Sequence, residues 1–146
     1  MGGGPVDDEL LPYLAALDGA AAFIAKPVNA YWSRVWAVRA LLYAWHPGAA
    51  PAVVSALDDP AWRVREMAAK VCALREVGEA ADALAARADE DEVPRVRAAA
   101  ARALGTVGEG EHADVLRALL SDEDDRVRPA AERALRTLSR RLDRPL

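Results

Sequence analysis

Arginines recur in this sequence at a spacing that could bind carboxylates or phosphates. The triplet Arg-Val-Arg occurs at 63–65, 95–97 and 126–128, so the second arginines lie 32 and 31 residues apart. A guanidinium presents a planar fork of N–H donors that matches a carboxylate or a phosphate. An aspartate also stands six residues before each second arginine, which gives the pairs Asp59 and Arg65, Asp91 and Arg97, and Asp122 and Arg128.

The first arginines of the triplets form a separate set, because they lie two residues earlier and point elsewhere. They are Arg63, Arg95 and Arg126. If the repeated segments stack, these side chains form a row along one edge. Two interpretations stay open: each arginine is a solvated charge beside an acidic turn, or the row grips an acidic peptide or a phosphate backbone.

Aromatic residues are confined to the first 62 positions of the chain. Large aromatics at the end of a repeat stack can fill the cap that a terminal repeat needs. Tryptophan and tyrosine also serve as anchors in binding surfaces. Both interpretations stay open for the cluster Trp32, Trp36, Tyr43 and Trp45. The candidate binding residues are therefore Trp32, Trp36, Trp62, Arg63 and Arg95.

Other reactive residues point to no catalysis. His46 and His112 have no second histidine or cysteine at metal-ligand spacing, and Cys72 falls on an apolar stripe, where it is a core residue rather than a nucleophile. The acidic runs at 89–92 and 122–125 precede helices and lack calcium-ligand spacing. No phosphate loop or hydrolase motif occurs. We predict no catalytic residue, no metal and no cofactor.

The elements that carry these residues are predicted to be helices throughout. After Val64, Val96 and Val127, small apolar residues recur at i+4, i+7 and i+8, which makes one apolar stripe per helix. Shorter apolar stretches at 50–57, 79–88 and 111–120 supply a first helix for each unit. A single hairpin cannot bury such a stripe, so we expect the hairpins to stack.

Prolines set the predicted ends of two helices. A long helix is predicted at about 28–45 after Pro27, ended by His46-Pro47-Gly48. It aligns with the later second helices if Val35 matches Val64, or alternatively if Val38-Arg39 matches Val64-Arg65. The last helix is predicted to start late, near Asp125, because Pro129 is tolerated only in or near a first turn.

The pattern Asp-x5-Arg, with Val before the Arg and an Ala/Leu-rich helix after it, resembles the HEAT repeat family. It is particularly similar to the short bacterial form related to phycobilin lyases. The resemblance covers about 95 residues, or about 115 with the weaker first unit. It implies an all-α fold, a short right-handed α-solenoid of helical hairpins. It also implies a ladder of hydrogen bonds between the three aspartates and the three second arginines.

We expect residues 1–7 to form a tail and residues 8–142 to form one domain. Within it, 8–47 is an atypical aromatic-rich unit, and 48–76, 78–105 and 110–142 are the repeats. The net charge of −4 gives no general attraction to nucleic acid. No apolar run reaches the roughly 18 residues of a membrane span, so no membrane partner is expected. The single cysteine suits the cytoplasm.

The predicted function is protein–protein binding or scaffolding, with a protein or peptide partner for which an acidic segment is one option. Two alternatives remain. One is nucleic-acid binding, on a loose resemblance to HEAT-like DNA-repair glycosylases. The other is a small-molecule or chromophore enzyme of the lyase type that uses the aromatic pocket. The oligomeric state is left open.

Overall fold

A computed structural model describes residues 31–146, and this part of the chain contains α-helices and no strand. Three short 3-10 turns, Pro47–Ala49, Gly78–Ala80 and Gly110–His112, each lead into a helix. None of the helices between residues 31 and 146 is long and apolar enough to cross a bilayer. The seven α-helices are α1 Trp32–Ala40, α2 Ala50–Ala56, α3 Trp62–Leu74, α4 Ala81–Glu90, α5 Pro94–Val107, α6 Ala113–Leu119 and α7 Val127–Leu142.

The helices form two layers of a stack, which confirms the predicted all-α repeat solenoid. Helices α1, α3, α5 and α7 pack side by side as one layer, and α4 packs on α6 in the other. Each short helix also packs on the long helix that follows it, so α2–α3, α4–α5 and α6–α7 are hairpins. The predicted tail at 1–7, the predicted domain start at 8 and the first residues of the long helix lie outside the described residues.

The core lies between the two layers, where the apolar stripes meet. Val64, Val96 and Val127 are all buried, as the periodicity predicts. Small residues let the long helices approach closely, because a Cβ built on Gly105 would lie only 2.9 Å from the Cα of Ala134. Helices α5 and α7 are therefore in backbone contact at this point.

The predicted end of the long helix at residue 45 is wrong, since α1 ends at Ala40. The N–H groups of Leu41 and Leu42 bond to carbonyls three residues back, which tightens the last turn. Arg75 then donates from Nε to the carbonyl oxygen of Leu41 and from Nη2 to that of Leu42, at 3.0 and 2.8 Å. These bonds give the two carbonyl oxygens partners other than the N–H groups of a further helical turn.

The late start of the last helix is confirmed, because α7 begins at Val127. Pro129 consequently lies in the first turn, where a missing N–H removes no helical hydrogen bond.

Candidate functional site

Arginines connect each hairpin to the next through what we call the arginine ladder. Arg65 donates from Nε and Nη2 to the carboxylate of Asp91 at 2.7 and 3.0 Å, and from Nη1 to the carbonyl oxygen of Asp59 at 2.9 Å. Arg97 makes the same bonds to the carboxylate of Asp122 and the carbonyl oxygen of Asp91. The implied ladder is confirmed, and each carboxylate belongs to the following unit.

The first rung of the ladder is one that the sequence patterns miss. Arg34 donates to Asp59 at 2.6 and 3.0 Å, so it is the equivalent of Arg65, 31 residues later. Both predicted registers for the first helix are therefore wrong. The reason is that Ser33, rather than a valine, precedes this arginine.

The ladder is ionic and structural. The hydrogen bond that Arg65 donates to the Asp91 carboxylate raises the pKa of Arg65, although burial opposes that shift. Burial raises the pKa of Asp122, but hydrogen bonds from Arg97 and from the N–H of Asp124, together with nearby positive charges, bring its pKa below the usual value. Because the two side chains of each Arg–Asp pair bind one another and are largely enclosed, the ladder positions the helices and offers no open site to a ligand.

A shallow groove of about 250 Å³ crosses α1 and α3 and reaches Arg95 on α5. The structure brings all five candidate binding residues to its wall. Trp36 and Trp32 expose 59% and 40% of their surface there. The predicted residues in the lining are Trp32, Trp36, Trp62, Arg63 and Arg95.

Guanidinium groups and indole rings alternate along this groove. The Cζ of Arg63 lies 4.6 Å from the ring centroid of Trp62 and 5.4 Å from that of Trp32. The Cζ of Arg95 lies 5.4 Å from Trp62, which is thus contacted by two cations. Cation–π contacts hold a guanidinium by its face. Within residues 31–146 no carboxylate pairs with Arg63, so its N–H donors remain available at the groove.

Sequence reasoning missed five further lining residues, one of which is the buried Val35 of α1. Glu66 accepts from Arg95 at 2.9 Å and lies 3.7 Å from Lys70. Arg39 lies over Trp36, with its Cζ 5.3 Å from the ring centroid, and Met67 completes the apolar floor. Three of these residues follow Arg63 at i+3, i+4 and i+7, the spacing of one helix face. This periodicity is the signal that could have identified them.

The aromatic cluster divides between the two interpretations. Trp45 packs partly buried against the core, as a cap residue would. The cap interpretation is wrong for Trp36 and Tyr43, because both side chains are exposed. Arg126 also departs from the expected row, since it pairs with Asp124 at 3.2 Å and does not line the groove.

One cluster of possible metal ligands exists among the described residues, formed by Asp82, Glu111 and His112. The N–H of Glu109 donates to Nδ1 of His112, so that nitrogen carries the lone pair. Its Nε2 therefore carries the proton and donates to Asp82 at 2.9 Å. This nitrogen has no free lone pair for a metal. The histidine instead ties α4 to the turn before α6.

The buried thiol of Cys72 is likewise a core group. Burial raises its pKa to about 12, which keeps it protonated at neutral pH. A protonated, enclosed thiol is a poor nucleophile, as the sequence predicted.

The comparisons with known proteins agree with this geometry. A comparison with curated proteins finds no match to the chain. The family model for HEAT repeats matches residues 29–104 and 81–143, which together cover most of the sequence and all seven helices between residues 31 and 146. The ladder, the hairpins and this match lead to one assignment: the chain belongs to the HEAT repeat family.

Proposed function

We propose that this chain is a protein-binding module whose groove holds a segment of a partner protein. HEAT repeats are typically protein-interaction scaffolds. The observation that carries the proposal is the exposure of Trp36, at 59%, on a groove that Trp32 and Trp62 also line. The surfaces of water-soluble proteins seldom expose an indole ring beside two others unless the patch binds another molecule.

The energetics of such a groove suit a partner that covers the tryptophans. A tryptophan can bury 150–250 Å² of surface at about 25 cal/mol/Å², so covering the exposed part of Trp36 would contribute about 3 kcal/mol. Trp62 is already fixed between the guanidiniums of Arg63 and Arg95, and a fixed side chain loses little entropy on binding. The proposed contact residues are therefore the same five that the sequence predicted.

A photo-crosslinking experiment tests the proposal. The photoreactive amino acid benzoyl-phenylalanine replaces Met67 on the groove floor, and in a control it replaces Leu120, which is exposed just after α6 in the other layer. Illumination in the native cell should give a discrete crosslinked protein with the Met67 variant. Adding Trp36→Ala and Trp62→Ala to that variant should abolish the product. Equal crosslinking from both positions, or none from Met67, would contradict a groove that binds protein.

We further propose the division of the chain predicted above, with one domain at 8–142 and a location in the cytoplasm. The first and third hairpins fall within the segments 48–76 and 110–142, and the second extends only two residues past 78–105, to Val107, which supports treating each as a unit. Limited proteolysis should then give a resistant fragment close to 8–142. Early cleavage between two hairpins would contradict a single domain.

A further inference from the structure

The groove carries cations along two edges. When Arg34 is aligned with Arg65, the residues Arg39 and Lys70 occupy equivalent positions of α1 and α3, and Arg102 has that position in α5. Arg63 stands seven residues before Lys70, and Arg95 stands seven residues before Arg102. Arg63 and Arg95 therefore form the other edge. Seven residues of helix rise about 10 Å, which sets the approximate separation of the two edges.

The floor between these edges is apolar. Trp36 and Met67 occupy equivalent positions of α1 and α3, and both line the groove. Ala99 has that position in α5 and lines an adjoining depression of about 350 Å³, together with Lys70 and Arg102. The groove therefore continues from α1 to α5. The apolar side chain on its floor becomes smaller along the way, from Trp36 through Met67 to Ala99.

The charge of this surface is opposite to that of the chain. Its two depressions are lined by five cationic side chains and one carboxylate, that of Glu66. The chain as a whole has a net charge of −4. Positive charge is thus concentrated on the groove, and a complementary occupant must carry negative charge.

We infer that the occupant of the groove is an extended, acidic segment of a partner protein with an apolar side chain at its centre. Its carboxylates would lie over Arg63 at one edge and over Lys70 and Arg102 at the other, and the apolar side chain would lie on Trp36 and Met67. This inference rests on the proposed function. It adds the chemical class of the partner.

The helix spacing also sets the pattern of the acidic residues. Packed helices lie 8–10 Å apart, and an extended chain advances about 3.3 Å per residue. A segment that crosses the helices therefore meets a new cation about every third residue. We expect Asp or Glu to recur at that interval in the partner.

Peptide fits this surface better than nucleic acid does. Duplex DNA carries a phosphate charge about every 1.7 Å, which requires a continuous cationic surface. Here the carboxylate of Glu66 lies in the groove and already accepts from Arg95. Acidic runs at 89–92 and 122–125 add to the repulsion of a long polyanion.

Fluorescence anisotropy with synthetic probes tests the inference on the full chain. One labelled peptide of about 12 residues carries Glu at every third position around a central Leu. A second has Gln in place of each Glu, and a third probe is a single-stranded oligonucleotide of similar length. The acidic peptide should bind the most tightly of the three probes. Its affinity should fall as the salt concentration rises from about 50 to about 300 mM. Equal binding of the Gln peptide, or tighter binding of the oligonucleotide, would overturn the inference.

A matched pair of variants locates the binding. The groove variant combines Arg63→Gln with Lys70→Gln, and the control combines Arg117→Gln with Arg136→Gln, two exposed arginines outside the groove that lose the same charge. We expect the groove variant to lose affinity for the acidic peptide about tenfold and the control to change less than about twofold. Equal losses in both would overturn the inference. Matching melting curves for all three proteins exclude misfolding as the cause.

The crosslinking through Met67 separates this inference from the function on which it rests. If Met67 captures a partner while the acidic peptide fails to bind, the function stands and the acidic chemistry is wrong. If neither experiment gives a complex, both are wrong.

Discussion

Arg34 donates two hydrogen bonds to the carboxylate of Asp59, at 2.6 and 3.0 Å, and so pairs the first described helix with the turn before α3. The same arrangement joins Arg65 to Asp91 in the next step of the stack. The aromatic-rich helix is therefore a full member of the repeat array. The groove on it is held by the same contacts that hold the rest of the fold.

Loss of a central rung of the arginine ladder should lower the free energy of unfolding more than loss of an exposed ion pair. The Asp91 side chain is fully enclosed, at 0% exposure, so Asp91→Asn leaves the buried cation of Arg65 without its counter-ion. Breaking a buried pair in this way costs about 3–5 kcal/mol of unfolding free energy, which urea titration measures.

The control for this rung is Asp114→Asn, which removes an exposed carboxylate that pairs with Arg117. Exposed pairs contribute at most about 1 kcal/mol. A second variant, Arg65→Met combined with Asp91→Leu, should recover much of the lost stability, because the buried cation of Arg65 is removed together with its counter-ion. A loss below about 1 kcal/mol in Asp91→Asn would show that the rung is not needed.

Acid should weaken the rung formed by Arg97 and Asp122. The pKa of Asp122 in the folded chain lies below its usual value, so the ionised carboxylate contributes stability that is fully present above the unfolded pKa of about 4. That contribution is lost as the pH falls through the folded pKa. The difference in unfolding free energy between wild type and Asp122→Asn should therefore be constant near neutrality and shrink below about pH 4. A difference that is the same at every pH would contradict this assignment.

Two glycines offer a test of helix packing. Gly105→Ala would place a Cβ 2.9 Å from the Cα of Ala134, so α5 and α7 must move apart at a cost of about 1–3 kcal/mol. At Gly78 an added Cβ meets nothing within 4 Å, and no described glycine has a positive φ. Gly78→Ala should therefore be neutral or stabilise by up to about 1 kcal/mol. Thermal melting compares the stability of the two variants. Equal changes in melting temperature would mean that the close approach of α5 and α7 does not limit the side chain at residue 105.

The charge of the groove should appear in the quenching of tryptophan fluorescence. Trp36 is the most exposed tryptophan that the structure describes and lies beside Arg39. Iodide should quench its emission more than caesium does at equal ionic strength, because cations attract the anion. Trp36→Phe should remove most of that iodide-sensitive emission, whereas Trp45→Phe, at a half-buried position, should leave it. Equal quenching by the two ions would contradict a positive groove.

The sequence predicted the later hairpins well because their information is local. Val96 and the alanines after it repeat at helical spacing, and Arg97 follows its aspartate at a fixed interval. The first rung was not predicted because Arg34 lacks the preceding valine. The end of α1 was not predicted because it depends on Arg75, which lies 34 residues beyond Leu41 in the chain.

The groove was predicted in part for a similar reason. Tryptophans and repeated arginines stand out in the sequence, so Trp62 and Arg63 were found by type and spacing. Glu66 and Lys70 are ordinary charged residues of a helix surface. Their place in the groove follows only when they are read at i+3 and i+7 from Arg63, on the same face of α3.

Arg128 opens a route to lengthening the protein by design. It donates from Nη1 to the carbonyl oxygen of Asp122, as its counterparts do within their own units. Among residues 31–146 no carboxylate pairs with the rest of its fork. An engineered copy of 110–142 joined behind α7 would bring an aspartate to that fork. The same bond that spaces the natural hairpins would then position the added hairpin against α7.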